Sequence, residues 1–381
     1  MTGFHCDTIR EGEFYNSDRN YSMSSTSKES LLTLIREYYI HNDHDNNPAI
    51  QIENWDEIME IASKHGVVGL CLESLERLPK ESRPTMDILL NIIGLTTQLE
   101  AQYNLQLKVL RKLSDYLHKN DITPILLKGY SLSLNYLVPN HRPSGDIDLF
   151  LSDGRRADEL IKALGIEVKQ NEEKHSTFRF HGIHIENHAT VICELEHKSL
   201  SNVERFLEKE LKDHSVFDDV SGCFLPSALF NAVYLPLHLG GHFVYGGANL
   251  RQILDYGLMV KKSTAGSIDW NIVKRLAEER GFFNFICCLN GICIEHLGIS
   301  SEHFPDWKRD RNLEKRILDD VLTANTTASA SVFGKVKRFI ENRWKYKLVY
   351  GKENHSKGFF LRIRSWFIWK WGIGRNNVWD K

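Results

Sequence analysis

Asp146 and Asp148 stand two apart in the stretch RPSGDIDLFL, with Ile147 between them and three apolar residues following. In a strand, side chains alternate faces, so the two carboxylates share one face and Ile147 takes the other. Neighbouring negative charges repel, and burying either is costly unless something positive compensates. A divalent metal is the usual compensation. Hard cations such as Mg²⁺ prefer carboxylate oxygen and keep waters for substrate phosphates. Two such ions, roughly 3.5–4 Å apart, stabilise the attacking and leaving oxygens of an in-line displacement. A third carboxylate would complete the cage or take a proton from an attacking hydroxyl.

Upstream, LLKGYS reads as a strand end running into a helix start, where free amides favour an anion. Gly129 permits close approach of a phosphate, and Ser131 or Ser133 adds a hydroxyl. Lys128 either neutralises phosphate charge or pairs with the same aspartates. Arg142 is open in the same way, to phosphate or to a carboxylate that orients the loop. His238 and His242 are four apart and share a helix face, which is also the spacing of a zinc pair. No neighbouring Glu or Cys completes that set, so packing or a cleft wall is the better reading. Arg251 and Asp255, also four apart, read as a tie between helical and catalytic parts. His175 and His188 flank a hairpin and could line an acceptor pocket.

The elements that must position these residues are legible in outline. Trp55, Ile58, Ile61 and Ala62 recur at helical spacing, with Gly66 as the stop. A long helical stripe runs over 86–119, and a short apolar run before Lys128 reads as a buried strand. A helix is expected at about 154–164. The runs STFRF and IHIEN, split by His181-Gly182, read as a tight hairpin, and ATVICELE extends or crosses the sheet. After about residue 202 the pattern is helical. Strands cluster in 122–196 instead of alternating throughout, which argues against a doubly wound sheet. The expected organisation is a flexible arm (1–28), a helical segment (29–120), a catalytic core (121–200), a helical part (201–330) and a tail (331–381).

Taken in order, the motifs resemble the nucleotidyltransferase superfamily of DNA polymerase beta type. More narrowly, they resemble a bacterial, largely uncharacterised nucleotidyltransferase family. The carrying residues are the W-x₆-A-x-x-H-G-V segment from Trp55 to Val67, Leu127-Lys128-Gly129, Arg142 to Leu149, and Glu186-Asn187-His188. His238 to His242 and Leu250-Arg251 to Asp255 follow, and the likeness covers about residues 30 to 300. It implies an α+β fold: a small mixed sheet carrying the site, with helical parts on either side in sequence. It also implies a Mg²⁺- (or Mn²⁺-) dependent transfer of a nucleoside monophosphate from a nucleoside triphosphate to an acceptor hydroxyl. Asp146, Asp148 and Glu186 would then hold metal and do the chemistry. Lys128, Gly129, Ser131, Arg142 and Gly145 would surround the nucleotide. The spacing of that family's hairpin puts Glu186 first as third carboxylate, with Glu194 and Glu196 in reserve. Tyr130 departs from the pattern, standing where the family turn has its second small residue. A binding or scaffold protein with a vestigial site, or a toxin modifying tRNA or protein, are the alternatives.

Bulk properties constrain partners. The net charge is −2, but residues 335–381 carry 13 Lys or Arg against 3 Asp or Glu, leaving −12 on the preceding 334 residues. That acidic body argues against tRNA. The tail also holds five of the eight tryptophans. Interleaved cations and aromatics suit a helix packed on the body, peripheral contact with an anionic membrane, or nucleic acid. The first thirty residues are polar and no run approaches eighteen apolar residues, so neither a leader nor a spanning helix is expected. The seven cysteines show no metal or disulfide spacing, as in a reduced, cytoplasmic protein.

Overall fold

Alternation along a few short strands decides the architecture. The computed structural model describes residues 25–40, 50, 52–171, 175–192, 198–245, 247–323 and 341–351. Strand β1 is Pro124–Leu126 and β2 is Ile147–Leu151; β3 is Val168–Asn171, β4 His175–Phe180 and β5 Ile183–His188. Two short strands, β6 (Val216–Phe217) and β7 (Phe224–Leu225), complete a seven-stranded sheet in the order β3-β4-β5-β2-β1-β7-β6. The sheet is mixed, with β2 and β5 parallel, β1 and β7 parallel, and the other neighbours antiparallel. The fold is α+β, with helices before and after the sheet.

The N-terminal helices are α1 (Ser25–Thr33, continuing as a π-helical turn to Ile40), α2 (Trp55–His65), α3 (Val68–Leu75) and α4 (Met86–His118). Helix α2 illustrates how local sequence sets an element. Asn54 caps its start by accepting from the Glu57 amide at 3.1 Å, and Gly66 ends it in the left-handed conformation at φ 65°. Within and after the sheet come α5 (Tyr130–Ser133), α6 (Gly154–Ala163), α7 (Lys198–His214) and α8 (Ala228–Tyr245). Next are α9 (Leu250–Lys262), α10 (Trp270–Arg280), α11 (Phe283–Glu295), α12 (Arg311–Thr323) and α13 (Arg343–Tyr350).

The two faces of the sheet belong to different cores. Ile147, Leu149 and Leu151 join Ile183 and Ile185 in a cluster closed by Leu110 and Leu113 of α4 and Ile161 of α6. Ile125, Leu127 and Phe150 face the other way, into a larger cluster that runs from α1–α3 through α8–α13. Because the period is two, the residues between the first set, including Asp148, Glu186 and His188, all lie on the second face.

Sequence and structure differ in particular places. The hairpin turns at His181-Gly182, both with positive φ (48° and 85°), and α4 and α6 fall where the periodicity puts them. Strands β6 and β7 lie in a stretch read as helical, and β3 was not foreseen. Each is too short or too exposed to show an apolar alternation. Glu194 and Glu196 lie outside the described residues, as do residues 1–24, 335–340 and 352–381. The described part of the basic stretch, α13, packs on the body. Lys345 is buried against Asp320 at 2.5 Å and sits 4.8 Å from the Phe243 ring centroid, while Arg316 lies 3.9 Å from the Trp344 ring centroid. Among the described residues no helix is long and apolar enough to cross a membrane.

One buried ion pair ties the sheet loop to the helical part. Arg142 binds Asp255 of α9 through Nε to Oδ1 at 2.6 Å and Nη2 to Oδ2 at 2.8 Å, and Tyr136 donates to Oδ1 at 2.8 Å. The expected neighbour within the helix, Arg251, instead donates to the Pro143 carbonyl at 3.1 Å. Removing one partner of such a pair leaves an uncompensated buried charge. Asp255→Ala is therefore expected to lose about 3–5 kcal/mol of unfolding free energy in urea, and a loss under about 1 kcal/mol would show that the pair does not bear on stability.

Candidate active site

Asp148 is the most constrained member of the site. It is the second residue of β2, its side chain 4% exposed, and pairs in register with Glu186 on β5. Lys128, just past β1, approaches it with Nζ 3.1 Å from Oδ1, and His188 places Nε2 at 3.1 Å from the same oxygen. Burial pushes the Asp148 carboxyl up, but Lys128 and His188 outweigh it and hold the acid below its ordinary range. Burial also lowers His188, and its contacts to Asp148 and Glu186 raise it above the usual imidazole value. Lys128 has a second neighbour in His238 of α8, at 3.4 Å, and His238 lies 3.1 Å from His242. Burial, then the Lys128 charge, drives His238 well below its ordinary value, so it sits neutral there.

Asp146 and Glu186 are more open, with side chains 50% and 20% exposed. His184 joins them: its Nδ1 is 3.2 Å from Asp146 Oδ1, which raises its pKa against the effect of burial. Asp146, His184 and Glu186 offer ligand atoms within 4.8 Å of one another, as do His175, Glu186 and His188. Glu186 is common to both groups. The carboxylate oxygens are the donors a hard divalent ion prefers, so the residues fit Mg²⁺ or Mn²⁺ at Asp146 and Glu186. Asp148 already has cationic partners in Lys128 and His188.

The loop between α5 and β2 is held from several sides. His141 is buried between Glu73 of α3, 2.9 Å from Nδ1, and Glu100 of α4, 3.1 Å from Nε2. Gln106 of α4 donates to the carbonyls of Ser144 (3.1 Å) and Gly145 (2.5 Å). Gly69 of α3 makes room, since a Cβ there would come within 2.6 Å of the His141 carbonyl oxygen. Gly129 has φ 76°, a conformation that favours glycine, and a Cβ on it would stand tight against Ser144 Oγ at 3.0 Å.

The sequence-predicted residues divide accordingly. Asp148 and Glu186 share one sheet face, Asp146 stands at the bend just before β2 within reach of His184 and Glu186, and Lys128 joins Asp148 by a salt bridge, one of its two readings. Gly129 and Gly145 line or border the cleft beside Asp146. Ser131 Oγ is buried without a hydrogen-bond partner among the described residues. Arg142 is engaged by Asp255, the second of its two readings. The Tyr130 ring packs 5.8 Å from that of Tyr103, and burial and then Asp218 push its hydroxyl up. Sequence reasoning missed His184 and Gln106. His184 had a signal, the alternation His184-Glu186-His188 on one strand face; Gln106 on α4 had none.

The chain belongs to the family described as uncharacterised nucleotidyltransferases, whose family model matches residues 51–298. No curated protein and no solved structure matches the chain.

His141 gives the loop a pH dependence. Burial lowers its pKa, and the two glutamates more than reverse this, leaving the folded value above the ordinary 6.5. Stability from these contacts is then fully present below pH 6.5 and lost as pH rises through the higher folded value. The difference in unfolding free energy between wild type and His141→Gln is expected to shrink from pH 6 to pH 9. A difference constant over that range would show that the imidazole is not charged in the fold.

Proposed function

We propose that this chain transfers a nucleoside monophosphate from a nucleoside triphosphate to an acceptor hydroxyl, with Mg²⁺ or Mn²⁺ as cofactor. The acceptor oxygen bonds to the α-phosphorus, the bond from that phosphorus to the β-phosphate oxygen breaks, and pyrophosphate leaves. The observation that carries the reading is the register of Asp148 with Glu186, with Asp146 grouped beside Glu186 at the head of β2.

Asp146 and Glu186, with Asp148 behind them, would hold the metal, which when bound neutralises phosphate charge. Glu186 is the third ligand or the group that takes the acceptor's proton. Lys128 Nζ, anchored on Asp148, presents its charge at the same end of the strands as the Gly129 turn. The turn and the buried Ser131 hydroxyl are the proposed seat of the phosphates. Arg142 acts at one remove, fixing the loop that carries Gly145 and Asp146 against α9. The chain's main contribution is positioning and charge neutralisation.

Calorimetric titration with ATP, GTP, CTP and UTP in the presence of Mg²⁺ tests this. Asp146→Ala, at a half-exposed side chain, is expected to keep the fold and weaken Mg²⁺-dependent nucleotide binding by at least about tenfold. Nucleotide binding indifferent to both Mg²⁺ and the substitution, or absent from wild type, would sink the proposal.

A further inference from the structure

His175 and His188 are directly paired across the antiparallel strands β4 and β5, and Glu186 lies two residues before His188 on the same face. Their ligand atoms converge. His188 Nε2 is 3.4 Å from Glu186 Oε2, and His175 Nε2 is 3.7 Å from Glu186 Oε1, with all three residues' donor atoms within 4.8 Å. Ligands of a metal bound at about 2.0–2.2 Å stand roughly 3–3.6 Å from one another, so the two separations to Glu186 already lie within or just beyond that range. A hydrogen-bonded cluster accounts for it less well. One Nε2–H of His188 faces two carboxylates, Asp148 at 3.1 Å and Glu186 at 3.4 Å, and cannot be linear to both.

We propose that His175, Glu186 and His188 form a divalent-cation site of the nitrogen-accepting class, taking Zn²⁺, Mn²⁺ or Co²⁺ in preference to Mg²⁺. Two imidazoles and one carboxylate suit transition ions, whereas Mg²⁺ demands oxygen. The site is the inner neighbour of the Asp146–His184–Glu186 group, and Glu186 is the bridge between them. Its catalytic meaning rests on the transfer reaction proposed above; the binding of the ion does not. The sheet supplies the rigidity. His188 is buried, its ring 5.3 Å from that of His175, and both backbones are fixed by the hairpin register.

The test is a Co²⁺ titration of the metal-stripped full-length protein, followed by visible absorption, on wild type, His175→Gln and Asp146→Asn. Wild type is expected to develop the absorption of nitrogen-ligated Co²⁺, displaced by Zn²⁺ and resistant to excess Mg²⁺. The band should survive in Asp146→Asn and weaken by at least about tenfold in affinity in His175→Gln, whose circular dichroism serves as the folding control. His175→Gln titrating like wild type, or displacement of the band by Mg²⁺, would overturn the proposal. If the cobalt band behaves as expected while nucleotide binding is absent, the cation site stands and the transfer reaction falls.

Discussion

A carboxylate buried on an interior strand needs a positive partner, and the constraint on Asp148 organises its surroundings. Its neighbours in the sheet order are β1 on one side and β5 on the other. Lys128 reaches it from the end of β1 and His188 from the end of β5, so one oxygen is shared between the two flanking strands. Lys128 in turn meets His238 of α8, which stays neutral because burial and the lysine both disfavour a second charge. The helical part that follows the sheet is thereby in contact with the site through a polar chain, beyond its packing on the apolar face.

The loop bearing Gly145 and Asp146 is the second place where separate parts of the chain meet. His141 fastens it to α3 and α4, Gln106 holds the carbonyls next to Asp146, and Arg142 crosses to α9. Buried pairs of this kind add little net stability over apolar packing, because desolvation offsets the attraction. What they supply is geometry. An unpaired Arg142 or Asp255 would be costly, so conformations of the loop that separate them are strongly disfavoured. A site that works by positioning requires that restriction.

Much of this arrangement was legible in the residues themselves. The strand position of Asp148 follows from period-two alternation, with Asp146 one step short of the strand at the bend that leads into it, and the hairpin follows from His181-Gly182 between two alternating runs. The pairing of Glu186 with Asp148 needed the resemblance to a family, since register between distant strands leaves no local mark. Arg142 shows the opposite limit. The sequence offered phosphate or carboxylate, and the choice of Asp255 depends on a contact 113 residues away. Gln106 is illegible for the same reason, being an ordinary glutamine on a long helix until a loop backbone arrives beside it. Strands β6 and β7 escaped because two residues cannot display a period.

The histidines change what the carboxylates can do. Three carboxylates alone would form a strongly negative cage that only cations could relieve. Here Lys128 already neutralises Asp148, and imidazoles stand beside Asp146, Asp148 and Glu186. In the proposed reaction, a metal at Asp146 and Glu186 would therefore meet a site whose deepest charge is already compensated by Lys128. The difference follows from depth. The buried aspartate is paired with Lys128, and in the proposed reaction the two more exposed acids would be left for the cation.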